Sequence, residues 1–128
     1  MKILYLTFYY SPDLCAGSFR NSSLSNELKN KIKKSDEIEL ITTLPNRYNS
    51  YNNYAKHIEK NDNLIINRIK LPKHKSGLID QSYAFLIFFI KVLRITKGKK
   101  YDIVFASSSR LFTAFLSAII ASRNKTFL

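Results

Sequence analysis

Residues 2–28, KILYLTFYYSPDLCAGSFRNSSLSNEL, constrain the fold more than any other stretch, because a buried-type strand runs through one short loop holding Ala-Gly-Ser into a helix. Ile3, Leu4, Tyr5, Leu6 and Phe8 form a near-continuous apolar run. That pattern suits a parallel strand covered on both faces rather than a half-exposed, alternating one. A strand of this kind belongs at the centre of an α/β sheet. Gly17 lets backbone approach a ligand closely, and the free first-turn N–H groups of the following helix, at the positive end of its dipole, face the same crevice. An anionic ligand suits that place; a tight turn between strand and helix is the plainer use of the same glycine.

Downstream, Ser18 reads as the N-cap of a helix to about residue 34, with Leu24, Leu28 and Ile32 recurring every four residues as an apolar stripe for the sheet. Residues 37–43, EIELITT, and 64–71, LIINRIKL, are β-rich, the second ended by Pro72. Between them, residues 44–62 are polar and asparagine-rich and read as a long loop with a short helix around 54–59. Residues 79–96 are the most apolar helix candidate, too short as they stand to span a bilayer. They read as a buried crossover helix, the alternative being one that packs on the sheet and also touches lipid. YDIVFA at 101–106 is a further strand, 107–110 the loop at its carboxyl end, 111–121 a helix, and 125–128 the start of another strand. This order implies an α/β, Rossmann-like three-layer domain with a mostly parallel sheet and right-handed crossovers. Ligands of such sheets bind outside the carboxyl ends of the strands, so residues 9–20 and 107–110 should border one crevice.

The 128 residues amount to one small domain with an ordinary 45% hydrophobic content. The formal net charge of +12 is uneven: residues 1–70 carry 11 basic and 7 acidic side chains, residues 71–128 carry 10 and 2. Such a field favours phosphorylated ligands, an acidic membrane surface or nucleic acid. A composition rich in Lys, Asn and Ile supplies part of the excess by itself. Cys15 is the single cysteine, so no internal disulfide and no cysteine-based metal cluster can form. No signal peptide is evident, which places the chain on the cytoplasmic side. Neither His57 nor His74 has a spacing that makes it a base for a serine nucleophile, and both read as exposed loop residues. Asp13 reads as a turn residue after Pro12, with a cleft carboxylate as its sharper alternative.

The opening KILYLTFYYSPDLCAGSFRNSSLSNELKN, the strand EIELITT, the apolar helix before a basic stretch, and YDIVFASSSRLFTAFLSAIIASR, taken in this order, resemble the N-terminal domain of GT-B glycosyltransferases of the retaining family 4 type, especially bacterial capsule and O-antigen sugar transferases. The resemblance implies that residues 1–128 are the acceptor-side half of a GT-B architecture, with the last strand cut short and the donor-binding domain missing. On that view the chain alone is an inactive fragment. The resemblance further implies a nucleotide-sugar donor, a glycan or lipid-linked acceptor in surface polysaccharide synthesis, no cofactor and no metal. Carried onto this sequence, it places Gly17 and Ser18 beside the donor diphosphate through their backbone N–H groups, with Arg20 adding a charge-assisted bond to phosphate. Ser107, Ser108, Ser109 and Arg110 become an acceptor-facing loop, and the location becomes cytoplasmic, peripheral at the inner membrane face.

The alternative is a non-catalytic basic module that binds a membrane or another anionic surface through the Phe-rich helix and Lys97, Lys99 and Lys100. Specific nucleic-acid binding is not expected, since no such motif occurs and the aromatic residues lie in runs the core needs. A dinucleotide oxidoreductase is disfavoured by the missing G-x-G-x-x-G fingerprint and the lack of a ribose-binding acid after EIELITT.

Overall fold

A computed structural model describes residues 1–46, 54–72, 77–107 and 111–128. Ser108, Ser109, Arg110, His74 and the middle of the 44–62 loop lie outside the described residues. The element order is β1 (Lys2–Leu6), α1 (Ala16–Lys31), β2 (Glu37–Thr43), β3 (Ile58–Asn61), β4 (Leu64–Ile69), α2 (Leu78–Ile95), β5 (Ile103–Ala106) and α3 (Leu111–Asn124). The strands form one sheet in the order β3-β4-β2-β1-β5. β1 lies between β2 and β5 and runs parallel to both, with Leu6 opposite Ile41 on one side and Ala106 on the other. The chain is thus α/β with a mostly parallel, Rossmann-like sheet. Its direction of growth reverses beside β1, where α2 carries the chain from β4 back to β5.

The two faces of β1 explain its unbroken apolar run. Leu4 and Leu6 pack with Ile41, Phe88, Val92, Val104, Leu116 and Ile120 under α2 and α3. Ile3 and Tyr5 pack with Ile38, Leu40, Leu64 and Ile66 on the α1 side. Burying each such side chain contributes about 2 kcal/mol, so the central position read from the sequence follows from energetics.

Three expectations are corrected. Residues 54–59 do not form a short helix: Ile58–Asn61 pairs antiparallel with β4, and Asp62, at a φ of 54° that Asp tolerates, turns the hairpin. The tertiary pull of an exposed β4 edge outweighs the weak helical tendency of AKHIE. The sheet-facing stripe of α1 is not Leu24, Leu28 and Ile32, because Leu24 is exposed; Ser18, Asn21 and Ser25 are buried instead, with Leu28 and Ile32 only partly covered. And α2 is not buried all round: Ala84, Phe85, Phe88 and Val92 face the core while Ile79, Tyr83, Leu86 and Ile90 are exposed. Phe127 makes a single isolated parallel bridge to Ile103 beside β5.

Candidate functional site

The carboxyl edge of β1 and β5 is the place where the chain's direction of growth reverses, and the sheet's hydrogen bonding continues past both strands there. The Ser107 N–H donates to the Leu6 carbonyl at 2.9 Å and the Thr7 N–H to the Ile41 carbonyl at 3.1 Å. Each of these two strands then gives rise to a helix, α1 after the 7–15 loop and α3 after 107–110. Gly17, Ser18, Arg20 and Ser107 are therefore brought to one edge of the sheet.

The 7–15 loop is shaped by a polar network that hydrophobic periodicity could not reveal. Asn21, buried on α1, donates to Thr7 Oγ1 at 2.6 Å and to the Tyr9 carbonyl at 3.0 Å, and accepts from the Tyr5 hydroxyl at 3.0 Å. The Tyr10 hydroxyl pairs with Ser25 at 2.7 Å. Thr43 donates to the Phe8 carbonyl at 2.7 Å. Arg68, buried on β4, donates to the Ser11 and Lys56 carbonyls at 3.1 Å each and to Glu59 at 2.8 Å. The spacing Ser18, Asn21, Ser25 is one helical face written in polar residues; it was the available signal. Burial pushes the Tyr5 phenol up to about 12, with the nearby Arg20 charge opposing the rise. Arg20 itself is exposed.

Ser18 is not the N-cap. Cys15 occupies the N-cap position and makes no capping side-chain hydrogen bond, and Ser18 sits inside the first turn, where its hydroxyl is buried and has no partner among the described residues. Thr113, in the first turn of α3, likewise has a buried hydroxyl without a partner among the described residues. Buried polar groups are normally paired; the two helix starts share this uncommon feature with the Ser22 hydroxyl on α1 and the Arg68 Nε. Gly17 has no positive φ, and a Cβ built on it would meet only Cys15 Sγ, at 4.0 Å. The fold does not need glycine there; its absent side chain leaves the uncapped start of α1 bare. Asp13 is buried, its N–H closing a turn on the Tyr10 carbonyl at 3.0 Å and its carboxylate accepting from the Asn46 N–H at 3.3 Å. The turn reading holds for it. His57 is exposed, with Nδ1 at 3.3 Å from the Arg68 carbonyl oxygen.

Beside this edge, a concavity of about 550 Å³ opens between α1 and the β3–β4 hairpin, lined by Tyr10, Ser22, Asn26, Glu59 and Arg68 among others. Among the described residues no three or more His, Cys, Asp or Glu side chains gather as a metal site, and no helix is long and apolar enough to cross a membrane. No family model matches the chain, and no curated protein matches it.

Proposed function

We propose that the chain is the acceptor-side, N-terminal half of a GT-B glycosyltransferase that moves a sugar from a nucleotide-sugar donor to a glycan or lipid-linked acceptor at the inner membrane face. One observation carries the site reading: the α1 start without a side-chain cap, bare at Gly17 and holding a Ser18 hydroxyl with no partner among the described residues, at the carboxyl edge where the sheet's order reverses. The resemblance of the ordered motifs carries the reaction class. In such a transfer the leaving nucleoside diphosphate gains charge, and oriented N–H groups at residues 17 and 18 with the Arg20 guanidinium would stabilise it in the transition state. Ser107 borders the acceptor side of the same edge. A second reading, a non-catalytic basic module for anionic surfaces, draws on the +12 charge.

Transfer of labelled sugar from uridine and guanosine diphosphate sugars to a membrane extract tests this in the complete gene product. Gly17→Asp, which puts a carboxylate at the helix start, and Arg20→Ala should each cut transfer by about a hundredfold, with circular dichroism unchanged. Undiminished transfer by both variants would remove these residues from the site; absence of transfer by the parent would leave the anion-binding module.

A further inference from the structure

The outer face of α2 is apolar where a surface helix should be polar. Ile79, Tyr83, Leu86 and Ile90 recur at i, i+4, i+7 and i+11, one face of the helix, and all are exposed, Ile79 at 84%. The first two turns of α3 extend the patch with Leu111, Phe112 and Phe115, at 87%, 61% and 61% exposure. The two helices meet through the Phe85 and Phe112 rings, 4.8 Å apart. A groove of about 390 Å³ runs between them over Phe85, Leu86, Phe89 and Phe115. A contiguous exposed apolar patch rimmed by polar residues marks an interaction site.

Charge selects the partner. The same face of α2 continues into Arg94, and the exposed Lys97 follows in the turn beyond the helix; Lys91 is exposed alongside, its ammonium donating to the Lys70 carbonyl at 3.0 Å. Asp80 is the one acidic residue of α2, and α3 has none. An anionic bilayer supplies both complements at once, hydrocarbon for the stripe and groove, phosphate for the cations. We infer that the outer face of α2 with the start of α3 is a membrane-docking surface for anionic lipid, inserting Ile79, Tyr83, Leu86 and Phe115 at the headgroup boundary. The inference deepens the membrane part of the function proposed above and rests on that part, not on sugar transfer.

The experiment is co-sedimentation of the chain with phosphatidylcholine vesicles and with phosphatidylcholine–phosphatidylglycerol vesicles, which involves no transfer and so fails or succeeds apart from it. The parent should pellet with the anionic vesicles, and Leu86→Ser with Phe115→Ser should lower the partition coefficient by at least about tenfold. Lys91→Glu with Arg94→Glu should remove the preference for anionic over neutral lipid. Because the chain has no tryptophan, Leu86→Trp gives a second readout: its indole emission should shift to the blue on anionic vesicles. Undiminished sedimentation of the serine variant, or an indole emission of the Leu86→Trp variant unmoved by lipid, overturns the inference. So does a dimer in sedimentation velocity that the serine variant dissolves while vesicles leave it intact, which would give the face to a second copy of the chain.

Discussion

At the amino end of the sheet, the buried Glu39 carboxylate accepts from Lys99 at 2.6 Å, the Tyr101 hydroxyl at 2.9 Å and Asn67 at 3.0 Å. Beside it, Lys2 pairs with Glu37 at 3.0 Å, and the backbone N–H of Lys2 donates to Asp102 at 2.6 Å. At the carboxyl end, the Ser18 and Thr113 hydroxyls lie buried with no partner among the described residues, beside a helix start that no side chain caps. One end uses its polar groups to close the sheet. The other holds its loop through Asn21 and Arg68 and leaves groups over. A fold that needed only stability would have no reason for this asymmetry, since an unpaired buried hydroxyl costs about 1–3 kcal/mol.

The comparison breaks most readily at Glu39. Glu39→Ala strands the Tyr101 hydroxyl in the core and takes an acceptor from the half-buried Asn67 amide, and should lower stability by about 3 kcal/mol. Glu39→Gln, which keeps an acceptor, should cost less. Urea unfolding midpoints measure both. A loss for the alanine variant below about 1 kcal/mol, the range of exposed pairs, would mean that the amino end is not closed by this cluster. The Tyr101 phenol, pushed up chiefly by burial and then by the neighbouring Glu39 charge, stays a donor throughout the usable pH range.

Asn21 comes next. Asn21→Ala removes the acceptor of the Tyr5 hydroxyl and both donors that hold Thr7 and the Tyr9 carbonyl, an expected loss of about 2 kcal/mol. The 7–15 loop should loosen first, seen as faster amide exchange there than in β2. Equal exchange in both segments would mean that the loop is held without Asn21.

The sheet could be read from the sequence because its signals are apolar and local. The run at residues 3–8, EIELITT and LIINRIKL each bury side chains on two faces, and the crossover order follows from chain economy. The α1 stripe was hidden, since Leu24 and Leu28 keep a helical period that any amphipathic helix shows, while the buried face is written in Ser and Asn. Asn21 and Ser25 become core because Tyr5 and Tyr10 bring hydroxyls to meet them from elsewhere in the chain. β3 was hidden for a similar reason: its pairing is created by the β4 edge. At the site, Gly17 and the edge formed by β1 and β5 were legible, whereas Thr113 and the uncapped Cys15 start are properties of geometry. The reading of Ser18 as a cap fails because the N-cap position falls at Cys15, three residues earlier.

A smaller effect sharpens the same contrast. Since the Ser18 and Thr113 hydroxyls have no partner among the described residues, removing them relieves the cost of an unpaired buried group, and Ser18→Ala and Thr113→Val should each stabilise by about 1 kcal/mol. Gly17→Ala, at a position with ordinary φ and an open Cβ site, should stabilise by about 0.5 kcal/mol. Under the function proposed above, all three should nevertheless weaken sugar transfer. A destabilisation of about 2 kcal/mol by Ser18→Ala would show a paired hydroxyl, and the two ends of the sheet would then be alike.

The least effect concerns the outer pair of the amino end. The Met1 ammonium donates to Asp36 at 2.7 Å, and that bond holds the Asp36 carboxyl below its ordinary 3.8 and the ammonium above its ordinary 8.0. A lowered carboxylate pKa means stability that is present above the unfolded value and fades as pH falls through the folded one. A raised amine pKa means stability that is present below 8.0 and is lost as pH climbs through the raised value. Asp36→Asn should therefore flatten the stability profile on both the acid and the alkaline side while leaving its middle slightly lower. Urea midpoints taken across that range on parent and variant decide it: parallel profiles would show that the contact at Met1 adds nothing, and that closure of the amino end resides in Glu39 and its buried partners.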